Sequence, residues 1–83
     1  MARYYFHVHN HIAVDDEEGQ ELPDLAAVHH SALQSARDLV CESIHEHGDV
    51  NLDHYIRVTD NAGAEVCRVT FRDAFTVKGD VRE

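Results

Sequence analysis

Three histidines stand at alternate positions in the segment His7-Val8-His9-Asn10-His11. On an extended strand, residues two apart project from one face roughly 6.5–7 Å from each other. Two imidazoles so placed can converge on one ion, each nitrogen at about 2.0–2.1 Å from it. Imidazole suits zinc, nickel and copper alike. His7 and His9 are therefore the expected core of a transition-metal site, holding Zn2+ or else Ni2+ or Cu2+, with a third ligand from His11 beyond a turn, from an acid or from a neighbouring chain. The plainer reading is that His7 and His9 are the outward polar residues of an amphipathic strand.

A second pair, Cys41 and His45, has the i, i+4 spacing that puts both side chains on one helix face, as do Glu42 and Glu46. Cys41 falls opposite the apolar stripe of that helix and is expected in solvent. Cys41 and His45 complete the candidate metal set, although histidines at 45 and 47 are also favourable beside the negative end of a helix without any ligand. If the helix covers the inner face of the sheet, the two candidate groups lie on opposite sides of the domain, and no single ion reaches both within one chain. His29 borders the stripe, His30 is expected in solvent, and His54 beside Asp53 could add a ligand at a sheet edge.

The run Asp15-Asp16-Glu17-Glu18-Gly19 invites a calcium reading. Its spacing is not that of a calcium-binding helix–loop–helix, and no bidentate glutamate follows at the twelfth position. A solvated loop is expected. No G-x-S-x-G, phosphate-binding glycine loop, dinucleotide fingerprint or H-E-x-x-H occurs, and a domain this small has little volume for a substrate pocket of about 300 Å³ or more. The chain reads as a non-enzyme.

Sixteen acids against seven Lys and Arg give a formal charge of −9 over 83 residues. Such a surface repels phosphate backbones and anionic headgroups, which disfavours nucleic-acid and membrane partners and favours cations or a protein with a basic surface. Protonating all eight histidines would bring −9 to −1, so self-association is expected on mild acidification, around a histidine pKa of about 6.5. A hydrophobic fraction of 43% with 28% charged residues is that of a folded domain. Two cysteines without CxxC spacing fit a reducing cytoplasm. The N-terminus lacks the apolar stretch of a signal peptide, and no window is apolar enough to span a bilayer.

The expected fold is α+β, a small antiparallel sheet of three to four short strands with one long helix on one face, in the order β-(β)-α-β-β. A single domain is expected over 1–83, with a strand at 3–9, an acidic loop at 10–23, a helix at 24–47, a hairpin at 54–71 and a loose tail at 76–83. Tyr4, Phe6 and Val8 alternate with Arg3, Tyr5, His7 and His9, and Ile12 to Val14 are expected as a second short extended piece. Asp24 is a good N-cap, Leu25, Val28, Ala32, Ala36, Leu39 or Val40, and Ile44 follow helical periodicity, and Gly48 suits a left-handed C-cap. Asp60-Asn61-Ala62-Gly63 fits a type I turn. After it, Cys67, Val69 and Phe71 share one parity and Val66 the other, which predicts a bulge.

Tyr4 to Val8, Asp16 to Ala27, Val58 to Gly63 and Phe71 to Phe75 together resemble the small alphaproteobacterial proteins grouped as the domain of unknown function DUF6894. The resemblance implies a short cytoplasmic β-plus-helix domain of rhizobial-type bacteria and carries no activity with it. His9 and His11 depart from the family pattern, where a basic or acidic residue is usual.

Two functions are therefore expected in the alternative. One is a small non-enzymatic protein that binds a zinc-like ion through His7, His9 and His11, or through Cys41 and His45. The other is a homodimeric interaction module without metal, using the outward sheet face (Tyr5, His7, Tyr55, Arg57) or an unpaired strand edge.

Overall fold

The computed structural model describes residues 1–79. Its fold is α+β, a five-stranded antiparallel sheet carrying one long helix. The strands are β1 (Ala2–His9), β2 (Ala13–Val14), β3 (Gln20–Leu22), β4 (Tyr55–Thr59) and β5 (Glu65–Thr70). Helix α1 (Leu25–His47) joins β3 to β4, and a single turn, α2 (Phe71–Ala74), follows β5. The spatial order is β2-β1-β4-β5, and β3 pairs with the other end of the β1 edge that β2 occupies.

Helix α1 begins and ends where its caps dictate. The Asp24 carboxylate accepts from the Ala27 N–H at 2.8 Å, and Gly48, at φ 74°, donates its N–H to Ile44 O at 2.9 Å. Val28, Ala32, Ala36 and Val40 form its buried stripe. They meet Ile56 and Val58 of β4, Val69 of β5, and Phe71 and Ala74, with Tyr4, Phe6 and Val8 half-buried around them. Small alanines on the stripe let the helix lie close to the sheet, and the β-branched residues opposite fill the layer between.

The stripe is shorter than the expected one. Leu25 and Ile44 are 56% and 52% exposed, and the buried stripe runs only from Val28 to Val40.

Residues 10–23 are not all loop. Val14 and Ala13 pair with Val8 and His9, and Gln20, Glu21 and Leu22 pair with Tyr4, Arg3 and Ala2. The hairpin also stops one residue earlier than expected. At Phe71 the chain turns into α2, whose N-cap hydroxyl, Thr70 Oγ1, accepts from Asp73 N–H at 3.3 Å, and Phe71 and Ala74 are buried against the core. Arg37 Nε reaches across from α1 to Ala74 O at 2.7 Å. The predicted bulge is present: Val58 pairs with Cys67 but Thr59 with Glu65, leaving Val66 as the extra residue. Asp60 holds the turn before it, accepting at its carboxylate from Ala62 and Ala64 N–H and at its carbonyl from Gly63 N–H. Residues 75–79 form no strand or helix, and the remainder of the expected tail, 80–83, lies outside the described residues.

Candidate functional sites

The outer face of the sheet carries Tyr5, His7 and His9 of β1 opposite Thr59, Arg57 and Tyr55 of β4. Their side chains are engaged with one another. His9 stacks on the Tyr55 ring at 4.6 Å with 11° between planes, and Arg68 lies over the same ring at 4.3 Å. Arg68 is held in turn by Glu65, at 2.9 and 3.3 Å. The result is a three-layer stack across β1, β4 and β5, of the kind that cation–π and stacking attraction stabilise. The Arg68 contact draws the Glu65 carboxyl below its usual pKa, and the same contact raises that of the guanidinium. Among the described residues, Nε2 of His9 is buried without a hydrogen-bond partner.

His7 is fully committed. Its side chain is 12% exposed. Nδ1 accepts from the Asp16 N–H at 3.2 Å, so the proton sits on Nε2, which donates to Thr59 Oγ1 at 2.9 Å. The outward pair His7 and His9 thus has the strand geometry expected of it, while both nitrogens of His7 already have partners.

Asp16 explains why the acidic loop is ordered. On β1 the N–H groups of Tyr4 and Val8 face the edge held by β3 and β2, and that of Phe6 lies in the gap between them. Asp16 Oδ2 accepts from Phe6 N–H at 3.0 Å, and Oδ1 accepts from Glu18 and Gly19 at 3.1 and 3.0 Å. Burial opposes the charge of Asp16, yet the hydrogen bonds from Gly19, Phe6 and Glu18, with His7 nearby, outweigh it and hold the carboxyl below the usual aspartate pKa. Gly19 completes the gap: at φ 68° a Cβ there would stand 2.7 Å from Tyr4 O and 2.9 Å from the Tyr5 ring. The loop expected to be solvated carries a carboxylate that finishes the sheet.

His11 does not join His7 and His9. It sits past the turn, where its ring lies edge-on to His54 at 5.1 Å and to His47 at 5.8 Å. These three, with Glu42, Glu46, Asn10 and Ser43, line a cleft of about 100 Å³ that also reaches Leu39 and Phe71. Sequence reasoning weighed His47 and His54 only singly, because residues 11, 47 and 54 are joined by the fold and by no spacing. Cys41 and His45 are exposed on α1, as expected. Cys67, the other free thiol, is half-buried, and burial followed by the charge of Glu65 pushes its pKa up. Among the described residues no group of three or more His, Cys, Asp or Glu stands as placed where it could hold a metal ion.

The architecture and the segments that build it agree with the match of residues 3–72 to the family model described as Domain of unknown function (DUF6894). That match covers most of the chain, and the protein belongs to this family. No curated protein and no solved structure matches the chain significantly. No helix among the described residues is long and apolar enough to cross a membrane.

Proposed function

We propose that this is a small non-enzymatic protein-interaction domain of a reducing compartment, the cytoplasm, that assembles as a homodimer through the open edge of its sheet, β5. One observation carries the reading: β5 runs six residues and, among the described residues, pairs as a strand on one side only, with β4. Phe71 N–H donates to His54 O, so by the alternation of an antiparallel ladder Val69 and Cys67 bond inward to β4 while the N–H and C=O of Arg68 point away from it. Beyond the bulge at Val66, the open stretch Cys67 to Thr70 can pair with another strand, and a second copy supplies an identical one. Free Cys41 and Cys67 suit the reducing compartment.

Transition-metal binding draws on a separate observation, the histidine cleft, and is compatible with a dimer. His7 lends it little, since both of its nitrogens are in use.

The test is mass by light scattering at high concentration, with Arg68→Pro as the edge-breaking variant. Proline removes an outward N–H without touching a bond to β4. Wild type should run at twice its 9.4 kDa chain mass and Arg68→Pro as a monomer with unchanged circular dichroism. A wild-type monomer throughout would end this proposal.

A further inference from the structure

We infer that His11, His47 and His54 form a binding site for one borderline divalent transition-metal ion, of which Zn2+ is the probe, with Glu42 or Glu46 or water at the fourth position. The three imidazoles come from three separate segments: the turn after β1, the last turn of α1 and the residue before β4. Each backbone is pinned independently. Asn10 Oδ1 accepts from Ile12 N–H at 3.2 Å, Gly48 caps α1 immediately after His47, and His54 O accepts from Phe71 N–H at 2.8 Å. Two imidazoles bound to one tetrahedral ion have ring centres roughly 5 Å apart, given a metal–nitrogen bond of about 2.1 Å. Two of the three ring pairs, His11 with His54 at 5.1 Å and His11 with His47 at 5.8 Å, are close to that value, and closing the set on one ion requires His47 and His54 to swing towards each other.

What remains is rotation of the rings, which stand edge to face at 82° and 85°. His11 and His47 are exposed, and exposed side chains change rotamer within picoseconds to nanoseconds. The electrostatics favour a cation. Glu42 and Glu46 line the same cleft, Glu46 Oε2 lies 3.9 Å from His47 Nε2, and the negative end of the helix dipole points there. Phe71, edge-on to His54 at 5.6 Å, closes the floor of the cleft with an apolar surface. Three imidazoles with a carboxylate or water select Zn2+, Ni2+ or Cu2+ over Mg2+ or Ca2+, which prefer oxygen shells.

The inference does not rest on dimer formation, since β5 contributes no ligand. It is tested by calorimetric titration of the untagged chain with Zn2+, and by Co2+ absorption as an independent report of coordination. One Zn2+ per chain is expected, with a rise in melting temperature because the ligands tie three segments together. His11→Ala/His47→Ala changes two exposed residues and leaves the core intact. It should weaken binding by at least about tenfold, the smaller effect seen even for outer-shell partners, and abolish the Co2+ band. His7→Ala/His9→Ala and Cys41→Ser/His45→Ala should bind as wild type does. Absence of binding by wild type, full binding by His11→Ala/His47→Ala, or loss of binding on changing Cys41 and His45 alone would each overturn the assignment.

Discussion

The two edges of the sheet are finished in opposite ways. On the β1 side, strands of two and three residues cover the ends of β1, and between them Asp16 takes up the Phe6 N–H that a continuous strand would have bonded. On the β5 side six residues are left open. Short strands, an inserted loop and charge are the usual means of keeping an edge from pairing with another chain. One edge has all three, whereas the other has only the bulge at Val66 near one end and the charges of Glu65 and Arg68, which are occupied with each other. The comparison teaches that blunting is concentrated on β1, and makes β5 the edge on which the proposed contact between copies would form.

The largest expected effect that could break this contrast is at Asp16. Asp16→Ala strands three backbone N–H groups, those of Phe6, Glu18 and Gly19, and should cost about 2–4 kcal/mol in urea unfolding, since a charged acceptor is worth about 1.5–3 kcal/mol and its donors are left unsatisfied. Asp16→Asn keeps an acceptor and should lose less. Equal losses would mean that the carboxylate is not what closes the gap.

The same residue sets a pH dependence. Its folded pKa lies below the unfolded value, so the stability it contributes is complete above the unfolded aspartate pKa of about 3.9 and is lost as pH falls through the lower, folded value. Unfolding curves of wild type and Asp16→Asn should therefore converge in strong acid and diverge towards neutrality.

Gly19→Ala comes next, at about 1–3 kcal/mol, because an L residue at that positive φ is strained and its Cβ would press on Tyr4 O. Tyr55→Ala, which removes the middle layer of the outer-face stack, should cost about 1 kcal/mol beyond the lost area and sharpen the contrast by leaving β5 as open as before. The smallest effect is kinetic. Cys41 should react with a thiol reagent before Cys67, whose pKa is raised by burial and by Glu65; first labelling at Cys67 would mean that β5 and its surroundings open more easily than the helix surface.

What could be read in the residues was what is local. Asp24 and Gly48 bound α1 because caps act within one turn, and the parity break at Val66 predicted the bulge because strand faces alternate residue by residue. Strand β3 was not legible: Gln20-Glu21-Leu22 has no strand-forming character of its own and is extended because Ala2 to Tyr4 pair with it. The exposure of Leu25 and Ile44 was hidden for a different reason, since periodicity assigns a side chain to a helix face and says nothing of how much of that face is covered. At the candidate sites, alternation correctly put His7 and His9 on one outward face. It could not foresee that Thr59 and Asp16 would occupy both nitrogens of His7, nor that His47 and His54 would come to lie beside His11, because those partners are fixed by tertiary pairing.

The β1–β4 pairing also sets an order of events for the nascent chain. His7 and Thr59, which meet across it, are 52 residues apart in sequence. β2, β3 and the Asp16 loop all follow β1 within a few residues, so one flank of β1 can be satisfied early, while its other flank and the apolar side chains of Tyr4, Phe6 and Val8 wait for α1 and β4 to be synthesised. Long-range closure of this kind is slow relative to local pairing and leaves sticky surface exposed in the interval. The acidic loop that finishes the sheet in the native protein is thus available first as a guard on the half-made one, and refolding of Asp16→Ala should show more aggregation than its loss of stability accounts for.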